Sequence, residues 1–164
     1  MEIICNFVTN LIMGKETITH LIEFLSPFPE HVQQNALWLR NFIWDLYPES
    51  NELIYDNYNA VAVGFAPSDR AGDVFCSFAV YSKHVNFGFN RGSEINDPDK
   101  ILNGDGSLYR HITVYNINDF PEDYIKMLLA DAYANSVSQL KQGKTLPKGQ
   151  TIVKAIAPVK RRPV

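Results

Sequence analysis

Residues 60–89, AVAVGFAPSDRAGDVFCSFAVYSKHVNFGF, decide the fold of this chain. Apolar residues alternate with small or polar ones in three runs, at 60–66, 74–81 and 84–89, and such alternation is typical of half-buried β-strands. The stretch from Pro67 to Gly72 is predicted to be a hairpin-like loop, and Ser82-Lys83 is short enough for a tight turn. The stretch therefore predicts three consecutive antiparallel strands.

A fourth strand is predicted at 109–115, after a long connection that is rich in turn formers. Two helices are predicted before the strands in the sequence and one after them, because apolar residues recur at helical spacing in 17–25, in 30–46 and from 119 to about 142. Prolines stand before and after the second helix, and Gly143 follows the third. This order predicts an α+β fold, a mostly antiparallel sheet of four to five strands with helices packed on one face.

The alternation divides the predicted sheet into two faces of different character. The first face is apolar and consists of Val61, Val63, Phe65, Cys76, Phe78, Val80, Val85, Phe87, Phe89, Ile112 and Val114. The second is small and polar with aromatic residues at its border, and consists of Ala60, Ala62, Gly64, Phe75, Ser77, Ala79, Tyr81, His84, Asn86, Gly88, Tyr109, His111, Thr113 and Tyr115. We expect the helices to cover the apolar face, which leaves the second face to solvent, a ligand or a partner.

Composition places the chain among folded proteins of one domain. Of its 164 residues 46% are hydrophobic and 12% aromatic, which excludes disorder over most of its length. Seven of the fifteen basic residues and none of the eighteen acidic ones lie from Lys141 onward, so residues 1–140 carry eight basic and eighteen acidic residues. An acidic body repels phosphate, so we expect no nucleic-acid partner. The basic end predicts a tail that folds back, binds an anionic partner or aids solubility.

The chain divides into an N-terminal extension at 1–16, an α+β domain at 17–142 and a basic tail at 143–164. We expect the tail to be extended or loosely docked. The apolar start, from Met1 to Met13, has no basic region and is shorter than the roughly 20 residues of a membrane span. Cys5 and Cys76 form no disulfide framework and no metal-binding spacing. These features predict a cytoplasmic protein with no membrane partner.

Polar and aromatic residues on or beside the small polar face form the candidate ligand-binding set, which is Tyr81, His84, Asn86, Arg110 and His111. Two histidines on neighbouring strands suit a divalent metal, but a useful site needs a third ligand. Upstream candidates for the metal are Glu49, Glu52 and Asp56. An anion or another polar ligand is the alternative occupant. We assign no catalytic residue, because nucleophile-elbow, zinc-protease and P-loop motifs are absent from the sequence.

The central block of the sequence resembles a known family. KHVNFGF at 83–89, NRGS at 90–93, Asp97-Pro98 and the run from Ile101 to His111 resemble the pattern of the YdhG-like family of domains of unknown function. LYPE at 46–49 and ELIY at 52–55 also fit that pattern. The resemblance covers about residues 17–140 and is most specific at 83–111.

The resemblance implies an α+β sandwich similar to frataxin. Some YdhG-like relatives are regarded as frataxin-like iron chaperones, so iron is the implied cofactor and iron–sulfur or haem assembly proteins are the implied partners. Exposed carboxylates would bind the iron, and the chain offers Glu49, Glu52, Asp56, Glu122 and Asp123. We therefore predict a non-enzymatic binding protein, in its most specific form an intracellular iron-binding chaperone.

Two alternatives stay open at this point. The first is a protein–protein adaptor or a homodimer that uses the small polar face. The second is a small-molecule-binding protein, or an enzyme of unknown reaction in which His84 or His111 acts as acid or base.

Overall fold

The computed structural model describes residues 19–141 and 146–163, which form three helices and six strands. In chain order these are α1 (Thr19–Leu25), α2 (Glu30–Leu46), β1 (Asn51–Asp56), β2 (Val61–Ala66), β3 (Cys76–Val80), β4 (Val85–Phe89), β5 (Arg110–Val114), α3 (Glu122–Ser138) and β6 (Thr151–Ile156). The predicted extension at 1–16, with Cys5, and the predicted helix end at Gly143 lie outside the described residues. Among the helices of these described ranges, none has the length and apolar character that crossing a membrane requires.

The six strands form one mixed sheet in the order β5-β4-β3-β2-β1-β6. Neighbours from β1 to β5 are antiparallel, whereas β6 pairs with β1 in parallel. The α+β class and the mostly antiparallel sheet are thus confirmed. The prediction of four to five strands is wrong, because β1 and β6 extend the sheet beyond the four strands that the alternation indicates.

β1 has no clear alternation because its buried face carries charge. Its register against β2 places Glu52, Ile54 and Asp56 on the helix-covered face. All three side chains are fully buried. Residues 151–156, which the sequence places in a loosely docked tail, instead form β6 and cover the outer edge of β1.

The helices cover the apolar face of the sheet, as predicted. All the residues of that face are buried except Ile112, which packs against the core while partly exposed. The helix residues in the same core are Leu21, Leu25, Val32, Ala36, Leu39, Ile43, Ile125, Leu128 and Leu129. Burial of an aliphatic side chain of this size is worth about 1.5–3 kcal/mol relative to exposure, so this one cluster holds the helix layer on the sheet.

Phe75 is a correction to the predicted faces. The alternation assigns it to the small polar face, but β3 begins one residue later, at Cys76. The Phe75 ring packs against Tyr47 and Tyr133, each with a centroid distance of 5.2 Å. Phe75 therefore belongs to the helix side of the molecule.

Asp97 fixes the long connection between β4 and β5. Its carboxylate accepts hydrogen bonds from the Tyr124 hydroxyl at 2.6 Å and from the backbone N–H groups of Ile101 and Leu102 at 3.3 and 3.0 Å. Burial acts to raise the pKa of Asp97, but these hydrogen bonds together outweigh it and lower the pKa. The connection is thereby tied to α3 and supports the adjacent strand β5.

Candidate functional site

The sheet face opposite the helices, which we call the open face, has a floor of small and polar side chains. Successive strand pairs place Ala62, Ala79, Asn86 and Thr113 in one row across the sheet. The next row consists of Gly64, Ser77, Gly88 and His111. Small side chains in the first row let a ligand approach the sheet closely, whereas in the second row Val74 packs over Gly64 and Tyr109 packs over Gly88.

Five aromatic rings on the β3–β5 part of the open face form what we call the aromatic platform, namely Tyr81, His84, Tyr109, His111 and Tyr115. Tyr81 stacks on His84 with centroids 5.1 Å apart, and His84 contacts Tyr115 at 5.5 Å. Tyr109 stacks on His111 at 5.6 Å and 18° between planes. Tyr115 is 66% exposed and Tyr109 is 38% exposed. The platform is therefore accessible to a ligand from solvent.

The platform is electrically neutral at two of its ring positions. Burial, and then the nearby His111, lower the pKa of His84. Burial, and then the neighbouring Tyr81, raise the pKa of Tyr109 to about 12 although Ser77 hydrogen-bonds to its hydroxyl. At neutral pH, His84 is thus an uncharged imidazole and Tyr109 keeps its proton.

Polar groups between the rings hold one another in place and leave donors unused. The Thr113 hydroxyl donates to Asn86 Oδ1 at 3.0 Å, and the Ser77 hydroxyl donates to Asn90 Oδ1 at 3.3 Å. The Asn86 amide nitrogen donates a hydrogen bond to no group among the described residues. His111 Nδ1 is buried and likewise has no hydrogen-bond partner within the described ranges. A ligand on the open face can use the Asn86 amide, whereas His111 Nδ1 is buried and is not exposed to such a ligand.

Glycine is required at position 88 beneath the Tyr109 ring. A Cβ atom at Gly88 would overlap Tyr109 Oη and lie 2.8 Å from the carbonyl oxygen of Arg110. Both contacts are shorter than the van der Waals separation of the atoms, so a larger residue would push the Tyr109 ring away from β4. Gly88 thus sets the position of Tyr109 in the platform.

The structure brings together four of the five residues in the predicted ligand-binding set. These four are Tyr81, His84, Asn86 and His111. Arg110 does not join them, because its register opposite Phe89 places it on the other face. Its guanidinium donates to the carbonyl oxygens of Gly106 at 2.6 Å and Tyr109 at 2.8 Å. Arg110 therefore fixes the loop before β5.

Tyr109 and Tyr115 are platform members outside the predicted set. Sequence alternation already places both on the small polar face, since they flank His111 and Thr113 at a spacing of two. The sequence therefore assigns both tyrosines to the correct face. It does not show which rings they contact, and the stacking distances supply that information.

Glu52, one of the three predicted metal ligands, is bonded to other parts of the chain. Its carboxylate accepts from Arg40 Nε at 2.6 Å and Arg40 Nη2 at 3.1 Å. Thr151 Oγ1 of β6 donates to it at 2.7 Å. Glu52 therefore joins α2, β1 and β6 on the helix-covered side, away from the platform histidines.

Asp56 and Glu49, the other two predicted metal ligands, pair with basic residues of the C-terminal part. Asp56 forms ion pairs with Lys160 at 2.5 Å and with Arg162. Glu49 pairs with Lys148 at 2.9 Å on the surface. The part of the chain that the structure describes contains no group of three or more His, Cys, Asp or Glu side chains placed to hold a metal ion.

Comparison with known proteins identified no relative of this chain. No family model, no curated protein and no solved structure matches this chain. The resemblance to the YdhG-like family therefore stays a prediction.

Proposed function

We propose that this chain is a non-enzymatic binding protein that holds a small, planar, ring-bearing ligand on its open face. The observation that supports this most is the aromatic platform standing beside a floor of small side chains. Aromatic pairs contribute about 0.5–1.5 kcal/mol beyond the area they bury. Accessible rings such as Tyr115 and Tyr109 offer that contact to an incoming ligand.

The polar groups of the platform favour a ligand that carries hydrogen-bonding atoms in the plane of its ring. The amide nitrogen of Asn86 is a donor that no other described group uses. Because His84 and Tyr109 are uncharged at neutral pH, the ring of the ligand need carry no charge to be accepted. A neutral heteroaromatic ring meets these requirements.

A binding role has more support than catalysis because the platform lacks an oriented nucleophile or base. Within the described residues, the imidazoles of His84 and His111 hydrogen-bond to no hydroxyl, thiol or carboxylate side chain. Cys76 is fully buried on the core side, where burial raises the pKa of its thiol well above the usual value. A thiol in that state is a poor nucleophile.

Iron binding at Glu49, Glu52 and Asp56 has less support than ring binding. Glu52 and Asp56 are fully buried and already paired with Arg40 and Arg162. A metal ion would have to displace these cations and leave them uncompensated inside the protein, which costs several kcal/mol. The supported ligand is therefore an organic ring rather than a metal.

The test is a calorimetric titration of the full chain with indole as the planar probe and cyclohexanol as a non-planar control. We expect saturable indole binding that Tyr109→Ala weakens about tenfold, because a stacking surface is lost. Tyr58→Ala is the matched control, since Tyr58 is also exposed (47%) but lies outside the platform. Equal losses in both variants, or equal binding of both probes, would contradict the proposal. A ferrous iron titration under nitrogen, giving saturable binding that Glu49→Gln weakens, would instead favour the iron hypothesis.

A further inference from the structure

A pocket of about 470 Å³ lies at the end of the sheet where the β1–β2 loop and the β3–β4 turn meet residues 157–163, which we call the C-terminal segment. Its lining residues are Asn59, Tyr81, Ser82, Arg161, Arg162 and Pro163. Five of these six side chains carry hydrogen-bond donors, and two of them are guanidinium groups. The lining is thus suited to an electron-rich group.

The C-terminal segment is fixed to the sheet, so the pocket wall has a defined position. The N–H of Ala157 donates to the carbonyl oxygen of Asp56 at 2.8 Å, and the N–H of Arg161 donates to that of Tyr58 at 2.9 Å. Arg162 is only 8% exposed and pairs with Asp56. Together these contacts hold both arginines at the pocket.

The pocket carries more positive than negative charge. Asp56 is shared between Lys160 and Arg162, so one carboxylate faces two cations. Arg161 is exposed, and its side chain forms no hydrogen bond or ion pair with any residue in 19–141 or 146–163. A guanidinium in this condition can bind a carboxylate or phosphate through two parallel N–H donors.

We propose that this pocket binds the anionic group, phosphate or carboxylate, of a small molecule. Arg161 contacts the anion directly, Arg162 supplies a fixed buried charge, and Asn59 and Ser82 add neutral donors. The proposal stands on the pocket and its charges and does not depend on ring binding at the platform, with which the pocket shares only Tyr81.

The test is a titration of the full chain with inorganic phosphate at constant ionic strength, followed by the NMR amide signals of Ser82 and Arg161. We expect saturable shifts that Arg161→Gln weakens about tenfold, because one charge-assisted contact is lost. A second arm with acetate distinguishes the source. Saturation by phosphate alone assigns a phosphoryl group, and saturation by acetate as well assigns carboxylates too.

Arg70→Gln is the matched control for this experiment. Arg70 is exposed like Arg161, and its side chain has no partner in the described residues, but it lies in the loop between β2 and β3. We expect Arg70→Gln to bind phosphate as the unaltered chain does, and Asn59→Asp to bind it more weakly through charge repulsion. Shifts that fail to saturate with either anion, or an equal loss in Arg70→Gln, would overturn the proposal.

Discussion

The ion pair between Arg40 and Glu52 is the residue-scale contact that ties the helix layer to the sheet. The side chains are 1% and 0% exposed, and the Arg40 guanidinium also lies 4.2 Å from the Trp44 ring centroid. A buried ion pair adds little net stability compared with apolar residues of similar volume, but removing one partner leaves the other charge buried and uncompensated. The pair therefore makes each partner indispensable to the other.

Removing the charge of Glu52 should destabilise the protein strongly. We expect Glu52→Gln to lower the free energy of unfolding by about 3–5 kcal/mol, since Arg40 stays buried without a counter-charge. Urea denaturation measures the loss. Glu49→Gln is the control, because Glu49 pairs with Lys148 at an exposed position and such pairs contribute about 0–1 kcal/mol. Equal effects of the two substitutions would refute the role given to the buried pair.

The hydrogen bond from Tyr124 to Asp97 should make stability depend on pH. Because the folded pKa of Asp97 is lowered, its contribution is present above the unfolded pKa of about 3.9 and is lost as the pH falls through the folded pKa. Tyr124→Phe removes one of the bonds that lower this pKa. We therefore expect the stability loss of Tyr124→Phe to grow as the pH rises from about 3 to about 7.

Chemical unfolding at a series of pH values checks this expectation. Tyr115→Phe serves as the control, since the Tyr115 hydroxyl has no hydrogen-bond partner in the described residues. A loss for Tyr124→Phe that is the same at every pH would show that Asp97 is not the group concerned.

At the scale of elements, sequence alternation predicts β2 to β5 but not β1. Alternation treats polar residues as exposed, whereas β1 buries Glu52 and Asp56 on the helix-covered face. The partners that make this burial tolerable, Arg40 and Arg162, stand in α2 and near the far end of the sequence. A local pattern contains no information about such distant compensation.

The sequence does not predict β6 as a strand of the sheet for a related reason. The N–H of Glu52 donates to the carbonyl oxygen of Gln150 at 2.8 Å, so β6 pairs with a strand almost one hundred residues earlier. Parallel neighbours are not joined by a short turn, and therefore no turn motif marks them. The short apolar alternation at 152–156 was visible, but its partner was not.

The close approach of Tyr109 to β4 gives a prediction for a single strand position. Gly88→Ala should lower the free energy of unfolding by about 1–3 kcal/mol, because its Cβ would overlap the Tyr109 hydroxyl and crowd backbone that cannot move freely. It should also weaken indole binding by displacing the ring. Gly72→Ala is the control, since a Cβ there meets no atom within 4 Å. Similar unfolding curves for the two variants would contradict this account of Gly88.

The C-terminal segment gives another prediction at this scale. We expect Asp56→Asn to loosen residues 157–163, because Arg162 and Lys160 lose their counter-charge. Hydrogen exchange at the amides of Ala157 and Arg161 should quicken by roughly 100-fold, as local opening becomes easier. Asp69→Asn, at an exposed acid whose side chain has no partner in the described residues, should leave both rates unchanged. Unchanged exchange in Asp56→Asn would contradict the anchoring role.

At the scale of the whole molecule, the structure shows which acidic residues pair with the basic residues near the end of the sequence. Of the three expectations for the basic end, the structure shows a tail that folds back, since Lys148 pairs with Glu49 while Lys160 and Arg162 pair with Asp56. The same contacts occupy Glu49 and Asp56, two of the five carboxylates that the family resemblance offers to iron. The sequence could show that acids and bases are separated along the chain but could not show which of them meet.

The candidate site divides in the same way. Strand alternation places His84, Asn86 and His111 on one face, because a period of two needs only local information. Whether carboxylates lie beside these histidines depends on the tertiary structure, which local patterns do not show. In the structure, Glu52 pairs with Arg40 and Asp56 pairs with Arg162. What local patterning determines was therefore predictable, and what long-range ion pairing determines was not.

The most direct test of ring binding at the open face is an NMR titration of the full chain with indole, read from the ring protons of His84 and His111. We predict saturable shifts of both histidines, while the ring signals of Phe120 and Tyr124 stay unchanged. Those two residues line a neighbouring groove, of about 500 Å³, beside β5 and the start of α3, which shares Tyr115 but neither histidine with the platform. Saturable shifts confined to Phe120 and Tyr124, with both histidines unmoved, would contradict the account and place the ligand in that groove.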